Sequence, residues 1–387
     1  MSTATLTPRE LPLVDVAKSF RPTILAERDA IDAERRLPPR LSAELAEAGL
    51  FKMLMPASVG GHESEPSVEL RAIEVLAAAD GSVGWLALAN IGGLCTGFLV
   101  QSAVRTLLAD SEDVVIGGTL VPSGIANRAP GGYRVSGRWG FASGVQHSGW
   151  MMVGCVVVDE TGTDEQGMRA LFVRTRDLQI IDTWSVSGLR GTGSYDIVVD
   201  DVFVPAEMSF VPDASPVESG PLYRFPLRGL GACGIAAVCL GIARSALDAF
   251  VELAMTKTPT MSGCRLGERV HAQNAFARAE ALVQSSRAWL YESVDDVWSM
   301  LTTGSPVPIE AAAMLRLAAT NACTNAVKAV DLIHAASGAA ALFTTSTINR
   351  AFQDVHAAGQ HFSVQETTYE LVGRTLLGFP PLAGPPL

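Results

Sequence analysis

Apolar residues recur along this chain in three regimes. From residue 1 to about 112 they return every three or four positions. Leu41–Leu50 (LSAELAEAGL) and Val68–Ala79 (VELRAIEVLAAA) both have this one-faced helical spacing. Ser82 to Phe98 is apolar nearly throughout and reads as one buried helix. From Val114 to Phe210 the pattern changes to β-branched runs cut by glycine turns: Tyr133–Ser136, Trp150–Val158, Ala170–Val173 and Ile197–Val204. Beyond about residue 227 helix returns. Leu230–Met255 is apolar nearly all round, Phe276–Thr302 is amphipathic, and Glu310–Ala336 is long and alanine-rich; Gly304, Pro306 and Pro308 separate the last two. The expected organisation is α+β: helices over 1–112, antiparallel strands over 113–212, helices over 213–387.

Composition narrows this picture. Of 387 residues 48% are apolar and 18% charged, with a mean hydropathy of +0.26, so much apolar surface is expected in subunit contacts. The net charge of −11 comes without a basic block, which speaks against nucleic acid or an anionic membrane as partner. The longest apolar run, Gly231–Ala243, is too short to span a bilayer, and the first eleven residues lack the pattern of a signal peptide. Six cysteines (95, 155, 233, 239, 264, 323) show no CxxC or metal-ligand spacing, as expected in a reducing cytoplasm.

Two glycine-bearing segments hold the candidate chemistry. Gly188-Leu-Arg-Gly-Thr-Gly-Ser194 leads into the β-prone run 197–204. Its glycines at 188, 191 and 193 permit positive φ and close approach of backbone N–H groups to a ligand, while Arg190, Thr192 and Ser194 add a charge and hydroxyls. A plain hairpin would use the same residues. Gly137-Arg-Trp-Gly-Phe-Ala-Ser-Gly144 offers two rings and a hydroxyl to a flat aromatic ligand, or equally a plug for a β core. The six histidines (62, 147, 271, 334, 356, 361) form no metal-ligand spacing. GxSxG and P-loop motifs do not occur. The single GxGxxG, Gly229–Gly234, follows no strand and reads as close helix packing. Arg265, in Cys264–Arg269, precedes an amphipathic helix and is either a phosphate contact or a solvated helix start.

In their order these segments resemble the acyl-CoA dehydrogenase superfamily from about Leu37 to Gly378. The resemblance implies an N-terminal helical domain, a central β-barrel or sandwich and a C-terminal four-helix bundle around a flavin, usually in a homotetramer. Trp139–Gly144 sits at the family's flavin loop, whose hydroxyl, here Ser143, faces flavin N5. Gly188–Ser194 with Val199–Pro205 is similar to its G-L-R-G turn and following strand. Arg265, Gly267 and Gln273 resemble a stretch that meets a neighbouring subunit's cofactor, and Arg350–Asp354 resembles R-x-x-R-D with Gln353 in place of the second arginine. Where many of these dehydrogenases have a catalytic Glu-Gly, this chain reads Gln360-His361-Phe362.

That exchange is similar to the flavin-dependent monooxygenase branch, the oxygenase components of two-component systems. The resemblance then implies reduced flavin (FMN rather than FAD), O2, a C4a-hydroperoxyflavin, a small aromatic substrate and a separate flavin reductase. It makes His361 and Ser143 catalytic, His361 as a base of near-neutral pKa or as stabiliser of the oxygenated flavin. Trp139, Phe141, Ser143, Arg190, Thr192, Ser194, Arg265 and Arg374 would bind the cofactor. The stretch 115–127 lacks the further histidine that phenol-hydroxylating relatives often carry there. An alternative is a dehydrogenase-like oxidase of CoA thioesters using Glu366 or Glu370. A third reading is a non-catalytic protein of the flavin fold.

Overall fold

The computed structural model describes residues 11–89, 91–109, 115–158, 164–212 and 214–379; the first ten residues, read above for a leader, lie outside that set. Seven helices come first: α1 (Leu11–Ser19), α2 (Arg21–Glu34), α3 (Pro39–Glu47), α4 (Pro66–Ala79), α5 (Gly81–Ala89), α6 (Gly92–Cys95) and α7 (Gln101–Leu108). Pro39 and Pro66 each open a helix, where the missing N–H has no helical partner to lose. The single helix expected over 82–98 is divided into α5, α6 and a 3₁₀ turn. Gly92 lies so close to the Ile116 backbone that a side chain there would collide, which fixes the chain's path at the break.

The strands are β1 (Ile116–Ala129), β2 (Gly132–Ala142), β3 (Trp150–Val158), β4 (Asp164–Arg174), β5 (Gln179–Ile181), β6 (Tyr195–Pro205) and β7 (Ser209–Phe210). They form one seven-stranded sheet in the order β5-β6-β2-β1-β3-β4-β7. The sheet is mixed, because β1 and β3 run parallel, which corrects the antiparallel expectation. β1 leaves no clear strand pattern in the sequence; Pro122 and its glycines disguise it, and the register against β3 shifts there.

The chain ends in α8 (Leu227–Thr256), α9 (Val270–Thr302), α10 (Ile309–Ser337), α11 (Thr347–Ala358) and α12 (Thr367–Leu376). α8 packs on α4, α10 and α11 and is the centre of the helical body. It is the one described helix long and apolar enough to cross a bilayer, yet 89% of its most apolar stretch is buried inside the fold. Helices from both ends of the chain share one apolar core, while the sheet keeps a second around Trp139, Phe172 and Val153.

One buried acid in α4 gives a stability prediction. Glu69 is 5% exposed, and burial pushes its carboxyl up to about 8. An acid raised in the folded state weakens folding as pH rises from its unfolded value to its folded one. Glu69→Gln is therefore expected to be more stable than the parent at pH 8.5, by roughly a few kcal/mol, with the gain vanishing toward pH 4. Urea denaturation at the two pH values checks this, and a pH-independent difference would refute it.

Candidate active site

The turn 188–194 is held by its neighbours. Positive φ falls on Leu189 (51°) and Gly193 (51°), whereas Gly188 and Gly191 have ordinary backbone angles. Those two glycines are needed for contact instead. A side chain at 188 would collide with the Gln353 carbonyl of α11, and one at 191 with Ile31 of α2. The Leu189 N–H donates to Asp354 Oδ1 at 2.6 Å, pinning the turn to α11.

Asp354 belongs to a buried charge cluster with Arg28, Asp80 and Arg350. Asp80 accepts from the Ser82 N–H at 2.9 Å and so caps the head of α5. Burial, then the nearby Asp80 carboxylate, pushes the Asp354 carboxyl up to about 7. One cluster thereby fixes the turn, α5 and α11 relative to one another.

β2 delivers two aromatic residues to different places. Trp139 is 1% exposed, donates from Nε1 to the Gly154 carbonyl at 2.8 Å and belongs to the core of the sheet. Expected at the cofactor, Trp139 has both its ring and its donor engaged inside the sheet. Two residues on, the register against β6 shifts and Phe141 takes φ +59°, which turns its ring outward to 76% exposure. A bulky residue at positive φ is strained. The exposed ring meets Trp184 edge-on, with centroids 6.1 Å apart.

Ser143 follows directly and heads a chain of hydroxyls. The indole Nε1 of Trp85, on α5, donates to Ser143 Oγ at 3.0 Å. Ser143 and Ser194 are 2.7 Å apart, Ser194 and Thr192 also 2.7 Å, and Thr192 donates to the Leu189 carbonyl at 2.8 Å. An indole N–H can only donate and a carbonyl can only accept, and each hydroxyl has one proton. The direction is therefore fixed: Trp85 gives to Ser143, Ser143 to Ser194, Ser194 to Thr192, and Thr192 to the carbonyl. Every hydroxyl proton is spent, so Ser143 offers the site an acceptor lone pair. Thr192 and Ser194 are buried behind it and act through it.

His361 meets the Trp85 ring edge-on, with ring centroids 5.8 Å apart. It begins a 3₁₀ turn, Phe362–Val364, just past α11, and its Nδ1 accepts the Ser363 N–H at 3.2 Å. Arg316 holds the same turn by donating to the Ser363 carbonyl at 3.1 Å. Burial pushes the imidazole down to about 4, so it is neutral at pH 7 and the near-neutral pKa expected of it does not hold. With Nδ1 accepting, the proton of the neutral ring sits on Nε2. His361 thus presents a donor where a base was expected.

The remaining arginines lie elsewhere. Arg190 donates to the Asp32 and Val186 carbonyls and pairs with the Asp32 carboxylate at 3.2 Å, so its charge is already offset. Arg265 is exposed at the start of the 3₁₀ turn Leu266–Glu268 that precedes α9, and Arg374 lies over the Phe379 ring in the last turn of α12. Neither is on the elements that carry Ser143 and His361. The sequence assigns no role to Asp80 and Asp354 and places Trp85 only within the apolar run 82–98. A tryptophan in an all-apolar run gives no sign that its N–H has a destination.

An acceptor hydroxyl, a donor imidazole and an exposed phenylalanine against a half-buried tryptophan, carried on a sheet between helices, suit a flat ring bearing N–H and carbonyl groups. Comparison with known proteins names such a class. The profile of the acyl-CoA dehydrogenase N-terminal domain matches residues 8–103, and that of its C-terminal domain residues 233–366. An indole-3-acetate monooxygenase of Pseudomonas putida is 31% identical over 87% of this chain and 86% of its own. The flavin-dependent monooxygenase oxygenase subunit HsaA of Mycobacterium tuberculosis is 30% identical over 93% and 94%. The crystal structure of 3-HSA hydroxylase from Rhodococcus sp. RHA1 superposes with a TM-score of 0.90 at 27% identity, covering 96% of this chain and 98% of that one. The chain belongs to the acyl-CoA dehydrogenase superfamily, in its flavin-dependent monooxygenase branch.

Proposed function

We propose that the protein is the oxygenase component of a two-component flavin-dependent monooxygenase, oxygenating a small aromatic substrate with reduced flavin from a separate reductase. The observation that carries this reading is the fixed direction of the hydroxyl chain ending at Ser143. Reduced flavin carries a proton on N5 and gives Ser143 a donor to accept; the oxidised ring has only an acceptor there. When bound, reduced flavin supplies the electrons that activate O2. Ser143 would hold the ring edge, His361 Nε2–H would donate to developing negative charge, and Phe141 with Trp184 would cover an apolar part of the ring.

The dehydrogenase alternative needs a sheltered carboxylate. Glu366 and Glu370 are both exposed, on the approach to α12 and in its first turn, where water would compete for any proton they took. The relatives' activities favour the monooxygenase as well. A cytoplasmic homotetramer is part of the same proposal, supported by large exposed apolar residues near the C-terminal helices, among them Leu342, Phe343 and Leu377.

The test is anaerobic titration with FMN and FAD in both redox states. Reduced flavin is expected to bind at least about tenfold tighter than oxidised, the worth of one well-made hydrogen bond against an unsatisfied acceptor pair. Tight oxidised FAD together with oxidation of a CoA thioester would overturn the proposal.

A further inference from the structure

A buried arginine on α10 has no carboxylate to answer its charge among the described residues. Arg316 is 8% exposed, and its Nε is buried without a hydrogen-bond partner. Burial disfavours the charged guanidinium, and the like charge of Arg228 works in the same direction. An apolar side chain of similar length would fill the same space without that cost. What the arginine does there is donate from Nη2 to the Ser363 carbonyl at 3.1 Å. Thr368 reaches the same carbonyl only at 3.5 Å, so the arginine is its main donor.

Ser363 in turn decides the state of His361. Its N–H donates to Nδ1 at 3.2 Å, which leaves the proton of the neutral ring on Nε2. The ring's other neighbours make no such choice. Phe362 stacks on it with centroids 4.6 Å apart and Trp85 meets it edge-on; both fix the plane of the imidazole and neither distinguishes its nitrogens. The Val364 N–H closes on the His361 carbonyl at 3.0 Å, and Gln365 Nε2 donates to the Gln360 carbonyl at 2.9 Å. Those bonds stay inside the segment 360–365, whereas Arg316 ties that segment to α10.

We propose that Arg316 is a positioning residue for the oxygenation: by holding Ser363 in place it keeps the His361 proton on Nε2. The inference rests on the monooxygenase reading for the use made of that donor; the tautomer itself does not depend on it. With the tie removed, Ser363 can turn away, Nδ1 loses its donor, and the proton is free to sit on either nitrogen. A ring protonated on Nδ1 no longer offers Nε2–H to developing negative charge.

Solid-state 15N NMR of histidine-labelled protein without flavin reads the tautomer, with the His361 signal assigned by its loss in His361→Gln. The wild type is expected to be predominantly Nε2–H. Arg316→Met is expected to shift the tautomer ratio about tenfold toward Nδ1–H, the worth of one neutral hydrogen bond. Yield is then measured as product per flavin oxidised, with indole, indole-3-acetate and phenol as probes. Arg316→Met is expected to lower it about tenfold, the scale of a lost hydrogen bond to a charged group, with reduced-flavin affinity within twofold of wild type. In a His361→Gln background the same substitution is expected to change the yield less than about twofold, because its effect passes through the imidazole; a merely structural arginine adds its full loss there. Should Arg316→Met fail to fold, Arg316→Gln, polar but two atoms shorter than the donor it replaces, carries the same expectations. An unchanged tautomer in the folded variants, or a full additive loss on His361→Gln, defeats the inference. A wild type that binds no reduced flavin and oxygenates none of the probes sinks the monooxygenase proposal instead, and the tautomer still decides on Arg316.

Discussion

Ser143→Ala is expected to erase the preference for reduced flavin and to divert the reaction toward hydrogen peroxide. The variant removes the one acceptor the hydroxyl chain offers, and it leaves the Trp85 indole N–H without a partner and Ser194 with Thr192 alone. Losses of this kind cost about 1–3 kcal/mol each, so a fall of roughly tenfold to a hundredfold in product formed per flavin oxidised is the expected scale. Peroxide and product are quantified in parallel after single mixing with O2. A Thr192→Val comparison isolates the direction of the chain. It deletes the link to the Leu189 carbonyl, frees the remaining hydroxyls to reverse, and is expected to narrow the reduced-to-oxidised affinity ratio with Ser143 still present. A Ser143→Ala protein that binds both redox states as the wild type does, with unchanged product yield, would refute this account.

Asp354→Ala is expected to carry the largest stability loss, on the order of 3–5 kcal/mol, with flavin affinity falling alongside. The substitution leaves the Leu189 N–H unsatisfied and takes one acid from beside Arg28 and Arg350. Because the cluster sets the turn against α5 and α11, Ser143, Trp85 and His361 lose their mutual placement together. Asp354→Asn keeps an oxygen for the Leu189 N–H and is expected to be far milder. Its pH dependence has a definite sign. The native carboxyl titrates at about 7, above its unfolded value, so the parent loses stability as pH rises between the two, and the asparagine variant does not. The stability difference between Asp354→Asn and wild type is therefore expected to move in favour of the variant from pH 4 to pH 8. A flat difference across that range, measured by urea denaturation, would count against the assignment.

The helical and β regimes were legible because burial on one face leaves a period in the sequence. α4, α8, α9, α10 and most of β3 and β6 fall where that period puts them. β1 was hidden because glycine and proline weaken a strand pattern, and the break after α5 because an all-apolar run gives no boundary. In the site, the glycine-rich turn and Ser143 stand out by composition, but the purpose of the glycines does not. Gly188 and Gly191 exist for the approach of α11 and α2, residues more than a hundred positions away. Trp139 and Phe141 share the inward parity of a strand with period two, and sequence treats them alike. A register shift and one positive φ separate them, sending one ring into the core and the other to solvent. Long-range charge is equally silent: nothing local says that Asp80 and Asp354 meet.

The hydroxyl chain from Trp85 to Leu189 also bears on proton traffic. A file of hydroxyls conducts only when its members can turn over in sequence, and here both ends forbid it: the indole will not accept, and the backbone carbonyl will not give. The route behind Ser143 is a dead end for protons, so one resting on a ligand at Ser143 has no exit by that path and leaves only on the side of Ser143 that faces the ligand.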